Sequence, residues 1–187
     1  MADASINHIQ LRWIASEVNP AYRWVKIMID ERNLVDLVTE WESRIKLSVK
    51  SRNEYKGVPE YLFAQHEYYA DAWFGFRPVA SVDDHYGSGI YGDKVSLLEC
   101  GNRRCGVVDC WPFTCEISVT DDLVIWHSFE NPVRTELALE FDDHDVKGID
   151  DPYAGFGPFT FLKSEYVVEL NALLKDTEYG RPVSSST

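Results

Sequence analysis

Long apolar runs are missing from this chain: no stretch approaches the ~20 apolar residues that a helix needs to cross a bilayer. Positive charge is also scarce, with 18 Lys and Arg against 31 Asp and Glu and a net charge of −13. That balance excludes general nucleic-acid binding, which needs a positive surface to meet phosphates, and it disfavours anionic membranes. The N-terminal segment MADASINHIQLRW has no basic stretch leading into an apolar one. No secretory signal is read there, and a cytoplasmic location is expected. In a reducing cytosol the 4 cysteines are not expected to form disulfides. The glycine-rich segment DDHYGSGIYG lacks the G-x-x-x-x-G-K-[ST] pattern, so no phosphate cradle is read there. Internal repeats and linkers are absent too.

What is present suffices for a core. The chain has 187 residues, 45% of them hydrophobic and 13% aromatic, which is ample for one domain without staples. Ile9, Leu11 and Trp13 alternate with polar residues, and so do Val25, Ile27 and Ile29 beyond the turn signal VNPAY. Period two on both sides of a turn predicts an antiparallel strand pair. Leu34, Leu37, Val38, Trp41 and Ile45 then fall at helical spacing, with Asn33 as N-cap and Asp36 in the first turn. FTCEISVT and LVIWHSF, joined at Asp121–Asp122, predict a hairpin. Counting from that turn places Cys115, Ile117, Val119, Val124 and Trp126 on one face, and Glu116 opposite His127 on the other. LALEF reads as a further strand. GPFTFLKSEYVVELNALLKD predicts a short strand and a closing helix with a stripe of Tyr166, Val167, Leu170, Leu173 and Leu174. The expected fold is α+β: a mostly antiparallel sheet with two main helices packed on it, one domain over 1–180 and a flexible tail over 181–187.

Cys100, Cys105, Cys110 and Cys115 recur at a spacing of five. Structural zinc favours closely spaced thiolate pairs, and gaps of four residues lie at the loose end of that range. A zinc site would use Cys100, Cys105 and Cys110, with His85 or His127 as fourth ligand. The competing expectation is that the thiols are packing residues and that no cofactor is bound. No histidine neighbours a cysteine in sequence, so no catalytic residue is assigned.

The segment LEFDDHDVKGIDDPYAGFGPF gathers acidic residues around His144. An EF-hand alignment from Asp143 puts Lys147 at a ligand position and Ala154 where a bidentate Glu is required, so calcium is rejected. Asp142, Asp143, Asp145, Asp150 and Asp151 are instead expected as an acidic rim. Tyr153 and Phe156, with Trp126 and Phe159, would supply aromatic anchors for a partner.

CGVVDCWPF resembles the C-G-x-x-G-C-W-P stretch of a group of uncharacterised bacterial proteins. NLVDLVTEWE, NPVR and YAGFGPFTF resemble that group's DLVDLVRE-like, PHR and YSGLGPFVF segments, in the same order over about residues 25–174. Asp109 replaces the group's second glycine and Val133 its histidine. The resemblance implies a bacterial origin and a single fold, and carries no activity.

The reading that follows is an acidic binding or inhibitor protein of the immunity type, acting on a protein with a basic surface. The alternatives are a zinc-binding or thiol-dependent enzyme centred on Cys100–Cys115, and a structural or assembly subunit such as a homodimer.

Overall fold

A computed structural model describes residues 5–15, 23–45, 55–58, 73, 94–101, 111–133 and 151–176. Its strands are β1 (Ile9–Ala15), β2 (Arg23–Ile29), β3 (Arg32–Asn33), β4 (Tyr55–Gly57), β5 (Val95–Cys100), β6 (Phe113–Val119), β7 (Leu123–Glu130) and β8 (Phe159–Leu162). The helices described along their length are α1 (Leu34–Arg44) and α2 (Lys163–Lys175). The strands form two antiparallel sheets, β1-β2-β3 and β4-β5-β6-β7-β8. The architecture is α+β, with the expected single sheet divided in two.

The alternation in β1 and β2 has the expected consequence. Ile9 faces Ile29, Leu11 faces Ile27 and Trp13 faces Val25, so one side of the ribbon is apolar. β2 and β3 turn at Asp30 and Glu31, both left-handed (φ 48° and 65°), as a two-residue hairpin loop demands. Asn33 then caps α1, its Oδ1 accepting from Val35 N–H at 3.2 Å. Leu34 and Val38 bury the inner face of α1, while Trp41 meets Phe156 edge-on and donates to the Pro152 carbonyl at 3.0 Å.

The β6–β7 hairpin keeps the register counted from Asp121–Asp122: Val119 pairs with Val124, Ile117 with Trp126 and Glu116 with His127. Its inner face joins Phe113 to Phe129, Tyr153 and Phe156 at one end, and Trp126 to Trp73, Phe161 and Tyr166 at the other. Tyr166 is fully buried, and its hydroxyl donates to the Trp73 carbonyl at 2.7 Å and accepts from Trp126 Nε1 at 3.3 Å. Burial pushes that hydroxyl well above the usual tyrosine pKa.

Among the described residues, two joints hold the sheets together. Val58 donates to Leu97 O at 3.3 Å, and its carbonyl accepts from Val25 N–H at 3.0 Å, so β4 lies between β2 and β5. At the far side Asn7 donates from its backbone to Thr160 O at 2.7 Å, and its Oδ1 accepts from Thr160 N–H at 2.9 Å. The strands therefore run in a closed circuit from β1 through β2, β4, β5, β6, β7 and β8 back to Asn7. The link between Asn7 and β8 is a single isolated bridge to Phe161. Beyond Asn7 the open edge of β1 is met by α2: Leu11 N–H donates to Glu169 Oε2 at 3.0 Å, and Trp13 Nε1 to Leu173 O at 2.9 Å.

Among the described residues no helix is long and apolar enough to cross a membrane. The LALEF segment, the tail over 181–187 and most of 51–92 lie outside the described residues.

Candidate binding groove

Where β1, the β2–β3 turn and the first turns of α2 converge, they leave an open groove of about 740 Å3. Its lining includes His8, Gln10, Asp30, Glu31, Glu165 and Glu169. Each arrives for a local reason. His8 and Gln10 are outward-facing because Ile9 and Leu11 point into the core. Asp30 and Glu31 occupy the turn, where Asp tolerates the left-handed conformation better than branched residues do. Glu165, Val168 and Glu169 share one face of α2 by their three- and four-residue spacing.

The turn is fastened in place. Asp30 accepts from Asn7 Nδ2 at 2.7 Å and from His8 N–H at 2.8 Å, and its own N–H donates to His8 O at 2.9 Å. Across the groove, His8 Nδ1 lies 3.1 Å from Glu165 Oε2. Glu169 is held by Leu11 N–H, whereas Val168 is 65% exposed and gives the acidic wall an apolar patch. Four carboxylates thus converge on one cavity in which His8 is the lone titratable cation former among the lining residues. Such a site can take a guanidinium or ammonium group whose aliphatic stem rests on Val168.

The sequence-predicted site residues fall elsewhere. Cys100 is buried on β5, and Cys115 is buried on β6 opposite Val95. Cys100 and Val95 are the two ends of β5, so strand rise alone separates the two thiols by roughly 16 Å. They cannot share one ion. Burial pushes the Cys115 thiol well above its usual pKa, in keeping with the core position read from the hairpin register. Cys105, Cys110 and His85 lie outside the described residues. His127 stands on the outward face of β7 with Ser118 and Ser128 as its partners. No group of three or more His, Cys, Asp and Glu is placed to hold a metal among the described residues.

Asp142, Asp143, Asp145 and Asp150 also lie outside the described residues. Asp151 is exposed, and its Oδ1 accepts from Tyr153 N–H at 3.0 Å. The aromatic anchors need correction. Tyr153 is 3% and Phe156 8% exposed, both packed on Phe113, and Trp126 is wholly buried. Rings committed to the core offer no surface to a partner.

Sequence reasoning missed the groove because its residues come from three distant segments. The available signals were modest: an acidic pair directly after the second alternating run, and two glutamates four apart on the last helix. No family model, curated protein or solved structure matches this chain.

Proposed function

We propose that this chain is an acidic binding or inhibitor protein, acting through protein–protein contact, and that its groove receives a basic side chain of the partner. The observation that carries this reading is the convergence of Asp30, Glu31, Glu165 and Glu169 around one cavity beside exposed Val168. The net charge of −13 supports it, because an acidic surface steers a basic partner to the site. The outer oxygens of Glu31 and Glu165 are the groups a guanidinium would meet.

The test is fluorescence anisotropy with a labelled arginine-rich hexapeptide and its glutamine counterpart, at low and high salt. The arginine peptide binds, weakens with salt and loses roughly tenfold affinity for Glu31→Gln/Glu165→Gln, as two screened ion pairs imply. Equal binding of both peptides, or a double variant that binds like the parent, defeats the reading.

A further inference from the structure

The outward face of β6–β7 carries a hydroxyl and an imidazole in the relation of nucleophile and base. Ser118 Oγ lies 2.8 Å from His127 Nε2. On the other side of the ring, His127 Nδ1 lies 2.9 Å from Ser128 Oγ and 4.0 Å from Glu116 Oε2. The Glu116 carboxylate near Nδ1 favours the tautomer protonated there, and the Ser128 hydroxyl can accept that proton's hydrogen bond. Nε2 is then the acceptor, and Ser118 donates its hydroxyl proton to it. A base in hydrogen-bond reach of a nucleophile, itself oriented by a third group, is the arrangement that activates serine.

The backbone is shaped to produce it. Cross-strand pairing sets Glu116 against His127 and Ser118 against Ile125, so the imidazole reaches Ser118 diagonally on the same face. Between the Thr114–Glu130 and Glu116–His127 pairs the register shifts, because β7 places Ser128 and Phe129 against Cys115 alone. Ser128 has φ 54°, a left-handed conformation rare for a serine within a strand. This bulge brings Ser128 to the same side as His127, where a regular strand would send it to the opposite face. The side chains of His127 and Glu116 are each 32% exposed, so a small molecule can reach the pair.

We propose that Ser118 and His127, positioned by Ser128 and Glu116, form a nucleophile–base pair that cleaves activated esters. Ser118 Oγ adds to the carbonyl carbon as its proton passes to Nε2, and the carbonyl electron pair moves onto oxygen. Collapse breaks the bond to the leaving oxygen, which departs with the proton from Nε2 as an alcohol or phenol. Water then adds to the acyl-serine, Nε2 taking its proton and returning it to Oγ, and the carboxylic acid leaves. Base assistance of this kind contributes about 10²- to 10⁴-fold. That suits aryl esters, whose leaving groups need little stabilisation.

The experiment is labelling of the intact chain with a fluorophosphonate, read by whole-protein mass and peptide mapping, beside p-nitrophenyl acetate turnover. One adduct on Ser118 is expected, absent in Ser118→Ala and formed about 10²-fold more slowly in His127→Gln. Ser128→Gly slows labelling while leaving the melting temperature unchanged or higher, because glycine relieves the left-handed backbone; a merely structural serine would leave the labelling rate alone. An unlabelled Ser118 in folded protein, or a His127→Gln variant labelled as fast as the parent, overturns the proposal.

Discussion

Gly57 and Val25 approach so closely that a Cβ on the glycine would sit 1.5 Å from the Val25 carbonyl oxygen. This is backbone against backbone, so no side-chain rotation relieves it. The same strands are joined one residue later by Val25 N–H and the Val58 carbonyl. The contact is therefore where the two sheets become one circuit.

Gly57→Ala should consequently separate β4 from β2 and weaken α1, which packs across that joint. We expect a loss of more than about 4 kcal/mol, in the range reserved for core disruption, measured by urea denaturation. A variant within about 0.5 kcal/mol of the parent, the usual range for a surface site, would mean the sheets are not joined there.

A second tie runs through a carboxylate. Glu42 Oε1 accepts from Tyr55 at 3.0 Å and from Tyr153 at 2.7 Å, linking α1 to β4 and to the loop before β8. The Tyr55 hydroxyl also accepts from buried Asn131 Nδ2 at 2.8 Å. Tyr55→Phe removes the bonds to both Glu42 and Asn131, whereas Tyr153→Phe removes the bond to Glu42. Tyr55→Phe should therefore destabilise more than Tyr153→Phe, each by about 1–3 kcal/mol. Equal midpoints in chemical denaturation would argue that the network carries no such weight.

These ties show where sequence reading succeeds and where it stops. Local rules place β1, β2, the Asn33 cap, the β6–β7 register and the stripe of α2, because each depends on neighbours a few residues away. β5 escapes them because all of its side chains are buried, which erases the period-two signal. β4 is three residues long and ends in glycine, too short for any pattern. The bulge at Ser128 follows from fitting two strands together, and nothing in HSFE announces it. The groove fails to show for the same reason, since only tertiary closure brings His8, Glu31 and Glu165 together. Tyr153 and Phe156 mislead in the opposite direction: beside an acidic run they look like surface anchors, while Phe113 and Trp41 claim them for the core.

Charge offers a separate test. The hydrogen bonds from Arg32 and Arg44 hold the Glu40 carboxyl below the usual glutamate range. A carboxylate with a depressed folded-state pKa stabilises above its unfolded value, and that stability is lost as pH falls through the folded one. Glu40→Gln should therefore lower the melting temperature slightly at neutral pH, with the difference vanishing in acid. Raised salt should shrink it too, since all three side chains face solvent. A difference that persists in acid would assign the effect to packing instead.

Cys115 tests the opposite sign. Burial raises its thiol pKa in the folded state, so folding favours the protonated form. The stabilising contribution is complete below the ordinary thiol range and falls away as pH rises from there toward the folded value, where the unfolded chain ionises first. The urea midpoint of the parent should consequently drop more steeply in alkali than that of Cys115→Ala. The same burial should leave Cys115 untouched by iodoacetamide in native protein and alkylated once urea is added. Cys115→Ser places an unpartnered hydroxyl against Val95 and Ile117 in an apolar interior, a change that costs about 1–3 kcal/mol. Rapid native alkylation of Cys115, with a midpoint insensitive to the serine substitution, would put this thiol at the surface. It would then be free to join Cys105 or Cys110 in metal or thiol chemistry.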